Sequence, residues 1–155
     1  MSDIKSFSLN AQELQVYQPN RYPFLMIDKV VDVCPGKYAI GYKNLTNNEW
    51  YFPKHFENHP NMPGALQLEA MAQMLTVAIT TLDGLKGKVT HALEHTVRFK
   101  KEVLPGDRLD INTKLISWKR GIAIGNGVCR VNGEEVSSAK MTITIPEILE
   151  RYIPR

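Results

Sequence analysis

Residues 65–82 are apolar at almost every position, which predicts a helix buried on most of its sides. Pro63 suits the first helical position, where its missing N–H costs nothing, Asn61 is the predicted cap, and Gly84 is the predicted C′ residue. The polar exceptions, Glu69, Gln73, Thr76 and Thr80, are spaced by four, three and four and form one stripe down the helix.

On either side of this run the pattern changes. Residues 10–17 read as a short helix, capped by Asn10 with Glu13 three positions on and ended by Pro19. The β-branched stretch 24–33 predicts a strand, Pro35-Gly36 a turn, and 37–45 its hairpin partner. Residues 46–62 read as a long loop, a length that in compact domains tends to carry function. After Gly87 the chain reads as strands over 88–101, 108–118, 122–131 and 135–145. Turns at Pro105-Gly106-Asp107, Lys119-Arg120-Gly121 and Asn132-Gly133 separate them, and Pro146 opens a short terminal helix over 147–152. Simple alternation in the first of these strands sets His91, Leu93, His95, Val97 and Phe99 on one face and Ala92, Glu94, Thr96 and Arg98 on the other.

Helix, hairpin, loop, long central helix and then antiparallel strands is an α+β pattern. A helix this apolar is satisfied when a curved antiparallel sheet wraps it, the shape called a hotdog fold. A length of 155 residues suits one such domain, residues 1–155, with 1–20 as N-terminal helix and lead-in and 146–155 as the short C-terminal helix.

Composition adds bounds. Net charge is +3, too mild to point to nucleic acid and compatible with an acidic partner. Cys34 and Cys129 lie far apart outside any CxxC spacing and read as reduced, buried residues of a cytoplasmic protein. The N-terminal stretch lacks the apolar core of a signal peptide, and the run 65–79 is too short and too polar for a membrane span.

The candidate chemistry sits at the start of the central helix. Glu69 is the only charge in the run before Asp83, and a carboxyl in an apolar wall tends to stay protonated at neutral pH. His55 and His59 lie in the loop just upstream, and Gly64 stands where a helix start offers unpaired N–H groups to a developing anion. A base, an acid and an oxyanion site thus fall within fifteen residues. Spacing alone favours a solvated Glu and a surface His; the apolar setting brings the two readings level.

These residues also carry a family likeness. Arg21-Tyr22-Pro23-Phe24-Leu25 with Asp28, His55-Phe56, His59-Pro60-Asn61-Met62-Pro63-Gly64, Glu69-Ala70-Met71-Ala72-Gln73, Val97-Arg98-Phe99-Lys100, Pro105-Gly106-Asp107 and Arg120-Gly121-Ile122 resemble the 3-hydroxyacyl-(acyl-carrier-protein) dehydratases of type II fatty acid synthesis. The likeness runs over about residues 12–145. It implies a cofactor-free, metal-free lyase that turns a (3R)-hydroxyacyl thioester into the trans-2-enoyl thioester. His55 and Glu69 would be the catalytic pair, meeting across a homodimer interface. Gly64 would bind the thioester carbonyl, with Phe56, Pro63, Gln73 and His59 as substrate contacts. The implied partner is acyl carrier protein with its phosphopantetheine arm, and many members assemble as trimers of dimers. Nucleic acid and membrane are not expected partners.

Several positions depart from the family pattern. Lys54, Glu57 and Asn58 stand where members carry Gly, Pro and Gly, and Asn20 stands where they carry His. Glu94 and His95 replace a small or apolar residue followed by Asp, and the likeness sets Glu94 near the acyl tunnel, where a charge would disfavour a long alkyl chain. The His91-x3-His95 spacing resembles a zinc motif only on a helix; on a strand the two are roughly 13 Å apart, and no metal is expected. Arg98, Lys100, Lys101, Arg108, Lys119 and Arg120 are either a solvated surface or a basic rim for an acidic carrier. Trp118, Phe99 and Tyr51 read as core or pocket-lining residues. Two alternatives stay open: a hotdog thioesterase in which Glu69 activates water, and a non-catalytic acyl-binding subunit.

Overall fold

A computed structural model describes residues 4–155; residues 1–3, where the expected single domain and leader-free N-terminus begin, lie outside the described residues. The elements run β1 (Phe7–Leu9), α1 (Ala11–Tyr17), β2 (Lys29–Cys34), β3 (Tyr38–Asn44), α2 (Phe52–His55), α3 (Gly64–Thr80), β4 (His91–Phe99), β5 (Arg108–Lys119), β6 (Ile122–Val131), β7 (Glu134–Thr144) and α4 (Pro146–Leu149), which passes into a 3-10 turn at Glu150–Tyr152. All seven strands join one antiparallel sheet in the order β1-β2-β3-β5-β6-β7-β4. The sheet curls around α3, which touches every strand from β2 to β7. This is the expected hotdog arrangement.

Burial of α3 holds the domain together. Met71, Met74, Leu75, Val77, Ala78 and Ile79 are all fully enclosed, and each large side chain removed from water contributes about 1.5–3 kcal/mol. Close approach of helix and sheet needs small residues on the strands: a Cβ on Gly125 of β6 would lie 2.6 Å from Leu75 and 2.8 Å from the Lys114 carbonyl. The polar stripe is satisfied from within. The Thr80 hydroxyl donates to the Thr76 carbonyl at 3.0 Å, and the Thr76 hydroxyl pairs with Thr90 at 3.2 Å. Among the described residues no helix is long and apolar enough to cross a membrane.

Several expectations are corrected. Residues 24–28 are not strand: the Phe24 and Leu25 amides turn back to the Arg21 carbonyl and the Met26 amide donates to the Gln73 side chain, so these residues lie outside the β2 ladder. β1 went unpredicted, being three residues long and visible only through its pairing with β2. The loop 46–62 contains α2, with Pro53 in its first turn. α3 starts at Gly64 with Pro63 as its N-cap; Asn61 makes no capping bond, and Gly84 sits with positive φ in the turn beyond the Thr81 C-cap.

β4 holds the largest correction. Ala92 pairs with Ile143 and Glu94 with Thr142, so Leu93 is an extra residue, a bulge. Beyond it His95 pairs with Met141 and Val97 with Ala139, both buried positions facing the helix. Ala92, His95, Val97 and Phe99 therefore share the inner face, while His91, Glu94, Thr96 and Arg98 face outward. His91 and His95 stand on opposite faces, and Glu94 points away from α3. Among the described residues no cluster of His, Cys, Asp and Glu is arranged to hold a metal. Cys34 and Cys129 are both free and buried, and burial pushes the Cys129 thiol up to about 12.

The loop after β3 is pinned by a charge taken mostly out of water. Lys43 Nζ lies 3.2 Å from Glu49 and 3.7 Å from Asp28, with its side chain only 9% exposed. Glu49 also accepts from the Thr46 amide and hydroxyl, and its own carbonyl accepts the Phe52 amide that opens α2. Burial alone would raise the Glu49 carboxyl; the Thr46 hydrogen bond and then Lys43 outweigh it and hold it below its ordinary value of 4.5.

Two outcomes are expected. Gly125→Ala should lower the urea unfolding free energy by about 1–3 kcal/mol at unchanged m-value, because the Lys114 backbone cannot yield. A depressed carboxyl stabilises the fold above its unfolded pKa and loses that contribution as pH falls through the folded one. The stability gap between wild type and Glu49→Gln, measured by thermal unfolding, should therefore be full at neutral pH and shrink below pH 4.5.

Candidate active site

His55 closes α2, half-buried, its ring stacked on Phe56 with centroids 4.2 Å apart. Its Nδ1 lies 3.0 Å from the Asn61 carbonyl oxygen. A carbonyl only accepts, so Nδ1 carries the hydrogen and Nε2 of the neutral ring carries the lone pair. The loop thus fixes both the orientation of the ring and the tautomer a base needs.

Glu69 sits in the second turn of α3, partly buried. Its Oε1 accepts from Gln73 Nε2 at 2.9 Å. The same Nε2 donates to the Phe24 carbonyl at 2.6 Å, and Gln73 Oε1 accepts the Met26 amide at 2.8 Å. Gln73, 3% exposed, is therefore wholly committed to the protein and has no amide group left for a substrate. It clamps the Arg21–Met26 segment onto α3 and engages one oxygen of Glu69, leaving Oε2 without a partner among the described residues. The lead-in is tied down further: Gln18 donates to the Gln73 carbonyl, and the Arg21 guanidinium donates to the carbonyls of Gln15, Gln18 and Asn20 at the end of α1.

Gly64 begins α3. The Leu66 and Gln67 amides return to the Pro63 carbonyl, whereas the Gly64 N–H has no acceptor among the described residues. The Phe99 ring lies over it: a Cβ at Gly64 would meet the ring at 2.7 Å, so only glycine allows this approach. An unpaired N–H at the start of a 17-residue helix suits an oxygen that gains negative charge.

The remaining expected residues separate. Phe56 is 56% exposed and backs His55. His59 is exposed and pairs with Glu102 at 2.6 Å. Among the described residues His55 and Glu69 share no hydrogen bond within one chain. Half of the basic rim is paired with carboxylates: Lys100 with Glu135, Lys101 with Glu134 and Arg108 with Asp110, while Arg120 stacks over Tyr152. The roles of the Asn61 carbonyl and of Phe24 and Met26 escaped the sequence reading; they act through backbone atoms, although both segments carry the family likeness.

The family model for the FabA-like domain matches residues 18–140. A 3-hydroxyacyl-(acyl-carrier-protein) dehydratase FabZ of Clostridium novyi (strain NT) is 38% identical over 139 residues, spanning 89% of this chain and 98% of that one. The protein of the same name from Clostridium acetobutylicum is 41% identical over 140 residues, spanning 89% and 99%. Among solved structures, the dehydratase heterocomplex ApeI:P of Xenorhabdus doucetiae superposes with a TM-score of 0.75 at 17% identity, covering 92% of this chain and 97% of its own. A hypothetical thioesterase with coenzyme A from Streptococcus pneumoniae TIGR4 reaches 0.57 at 14% identity, covering 72% and 80%. These two likenesses speak to the hotdog fold alone. The family match and the near full-length relatives go further: this chain belongs to the FabA-like family, alongside the FabZ dehydratases.

Proposed function

We propose that this protein is a hydro-lyase that dehydrates a (3R)-hydroxyacyl thioester, carried on acyl carrier protein, to the trans-2-enoyl thioester in fatty acid synthesis. The observation that carries the mechanism is the His55–Asn61 hydrogen bond, which leaves Nε2 of a neutral imidazole free as base. Nε2 takes the proton from C2. Charge develops on the thioester oxygen against the Gly64 N–H and the α3 N-terminus. The C2–C3 double bond forms as the C3–oxygen bond breaks, and Glu69 Oε2 gives its proton to the departing hydroxyl, which leaves as water. Proton return from His55 to Glu69 resets the pair. Each group contributes on the order of a hundredfold or more to the rate. Gln73 serves as a positioning residue for Glu69. No step requires a cofactor.

The working unit in this reading is a homodimer with His55 of one copy facing Glu69 of the other, and the protein works in the cytoplasm. Support comes from β4, the end strand of the sheet, whose outer edge has no strand partner among the described residues and which carries exposed Leu93 and Phe99, a surface suited to pairing with another strand. A trimer of dimers is a further level of the same proposal.

His55→Ala and Glu69→Gln should each remove enoyl formation, read by absorbance with a 3-hydroxyacyl thioester, while circular dichroism and thermal midpoint stay near wild type. Release of free thiol in place of enoyl product would instead identify a thioesterase, and neither product an acyl-binding subunit. Co-expression of the two inactive variants separates the site models. If each site draws His and Glu from different copies, random pairing restores about one quarter of wild-type turnover. If both come from one copy, the mixture stays inactive.

A further inference from the structure

The loop that carries the base runs from His55 at the end of α2 to Gly64 at the start of α3. It holds the imidazole through the Asn61 carbonyl, 3.0 Å from Nδ1. That carbonyl can fix the ring only if residue 61 is itself fixed. The bonds inside the loop offer little. The His59 amide returns to the Phe56 carbonyl at 3.2 Å, and Asn58 takes a positive φ of 63°, which a residue other than glycine adopts at some cost.

What ties this stretch to the sheet lies on either side of Asn61. His59 Nε2 is 2.6 Å from Glu102 Oε1, and the Met62 amide donates to the Val103 carbonyl at 2.7 Å. Among the described residues, the first of these is the only hydrogen bond from residues 57–61 to any residue outside the loop. A carboxylate only accepts, so Nε2 of His59 carries the hydrogen whether its ring is neutral or charged. The far end is firm. The Lys100 and Lys101 amides donate to the Val136 carbonyl of β7 at 2.8 and 3.3 Å, and Val103 is fully buried. Just ahead of them Phe99 lies over Gly64, which with Asn61 and Glu102 borders a cavity of about 470 Å³. The strip from Phe99 to Val103 thus meets the loop near the carbonyl that holds the base and again at the glycine that faces the developing anion.

We propose that His59 and Glu102 are positioning residues for His55. Their hydrogen bond clasps the loop to the strip after β4, holds the Asn61 carbonyl against Nδ1 and so keeps Nε2 aimed as base. This rests on the dehydratase reading and gives His59 a role other than the substrate contact that the family likeness implies. The two side chains are 58% and 55% exposed, so the pair adds little to stability and its effect is local.

The test uses variants of the full chain, assayed with the 3-hydroxybutanoyl thioester of N-acetylcysteamine. His59→Ala and Glu102→Ala should each lower kcat by about two- to fivefold, with KM and the thermal midpoint near wild type. The double variant should lose no more than either alone, since each removes the same contact. His59→Gln sets its amide nitrogen near the place of Nε2 and should keep most of the rate. His59→Asn, one methylene shorter, should behave like His59→Ala. An unchanged kcat overturns the proposal, and a raised KM beside it makes His59 a substrate contact. Losses that add in the double variant, or a His59→Asn as active as wild type, overturn it equally. A second readout needs no turnover. At mildly alkaline pH, two-bond proton–nitrogen NMR correlations show which ring nitrogen of His55 carries the hydrogen, with His55→Ala supplying the assignment. Wild type and His59→Gln should show the Nδ1–H form, and His59→Ala and Glu102→Ala a mixture of both forms. If no enoyl product appears, the dehydratase reading fails and this comparison alone judges the clasp. The same proportion of the two forms in every variant overturns it.

Discussion

The structure depends on a helix that must be almost wholly dry yet carry one carboxyl group. α3 is surrounded by the inner faces of six strands, and a polar atom on it finds a protein partner or goes without. Gln73 resolves the conflict for Glu69. Its amide makes three hydrogen bonds, two to the Phe24–Met26 backbone and one to the carboxyl. A buried amide with partners on both ends contributes modestly to stability, but loss of any partner leaves a desolvated group and costs far more. The lead-in segment is therefore fastened to α3 and, through the same side chain, to the orientation of Glu69.

His55 has the opposite setting: it is half-buried at the end of α2, and its orientation comes from the main chain of the following loop. Lys43, between Glu49 and Asp28, draws residues 46–49 against the end of β3, and α2 grows directly from that anchor to end at His55. The carbonyl of Asn61 then meets the ring from the far side of the loop. A buried ion pair is weak evidence for net stability, since desolvation offsets much of the attraction. Its contribution here is geometric: it limits where the loop can lie.

Much of this plan was legible in the residues. The helix over 64–80 follows from apolar density, α1 from its capping box, now seen with both reciprocal bonds, and the β6–β7 hairpin from Asn132-Gly133. What escaped depends on partners distant in sequence. The 24–28 stretch has strand-like residues, but the amides of Phe24, Leu25 and Met26 go to a turn and a helix side chain, and only Asp28 reaches β3. β1 exists only because β2 offers an edge. The bulge at Leu93 exchanged the assigned faces of His91 and Ala92 relative to His95, because a period of two carries any single insertion to every residue beyond it. Of the site, the residue types and their spacing were readable; the amide orientation of Gln73 and the His55 tautomer were not, since both are set by main-chain carbonyls.

The charges around the mouth bear on how a carrier would approach. Lys100 and Lys101 flank the cavity beside Gly64, yet each is paired with a glutamate at the start of β7. Exposed pairs of this kind are worth little in stability and are screened by salt. They are therefore easily exchanged: a phosphate or acidic side chain arriving at the rim competes with Glu134 and Glu135 for partners already in place.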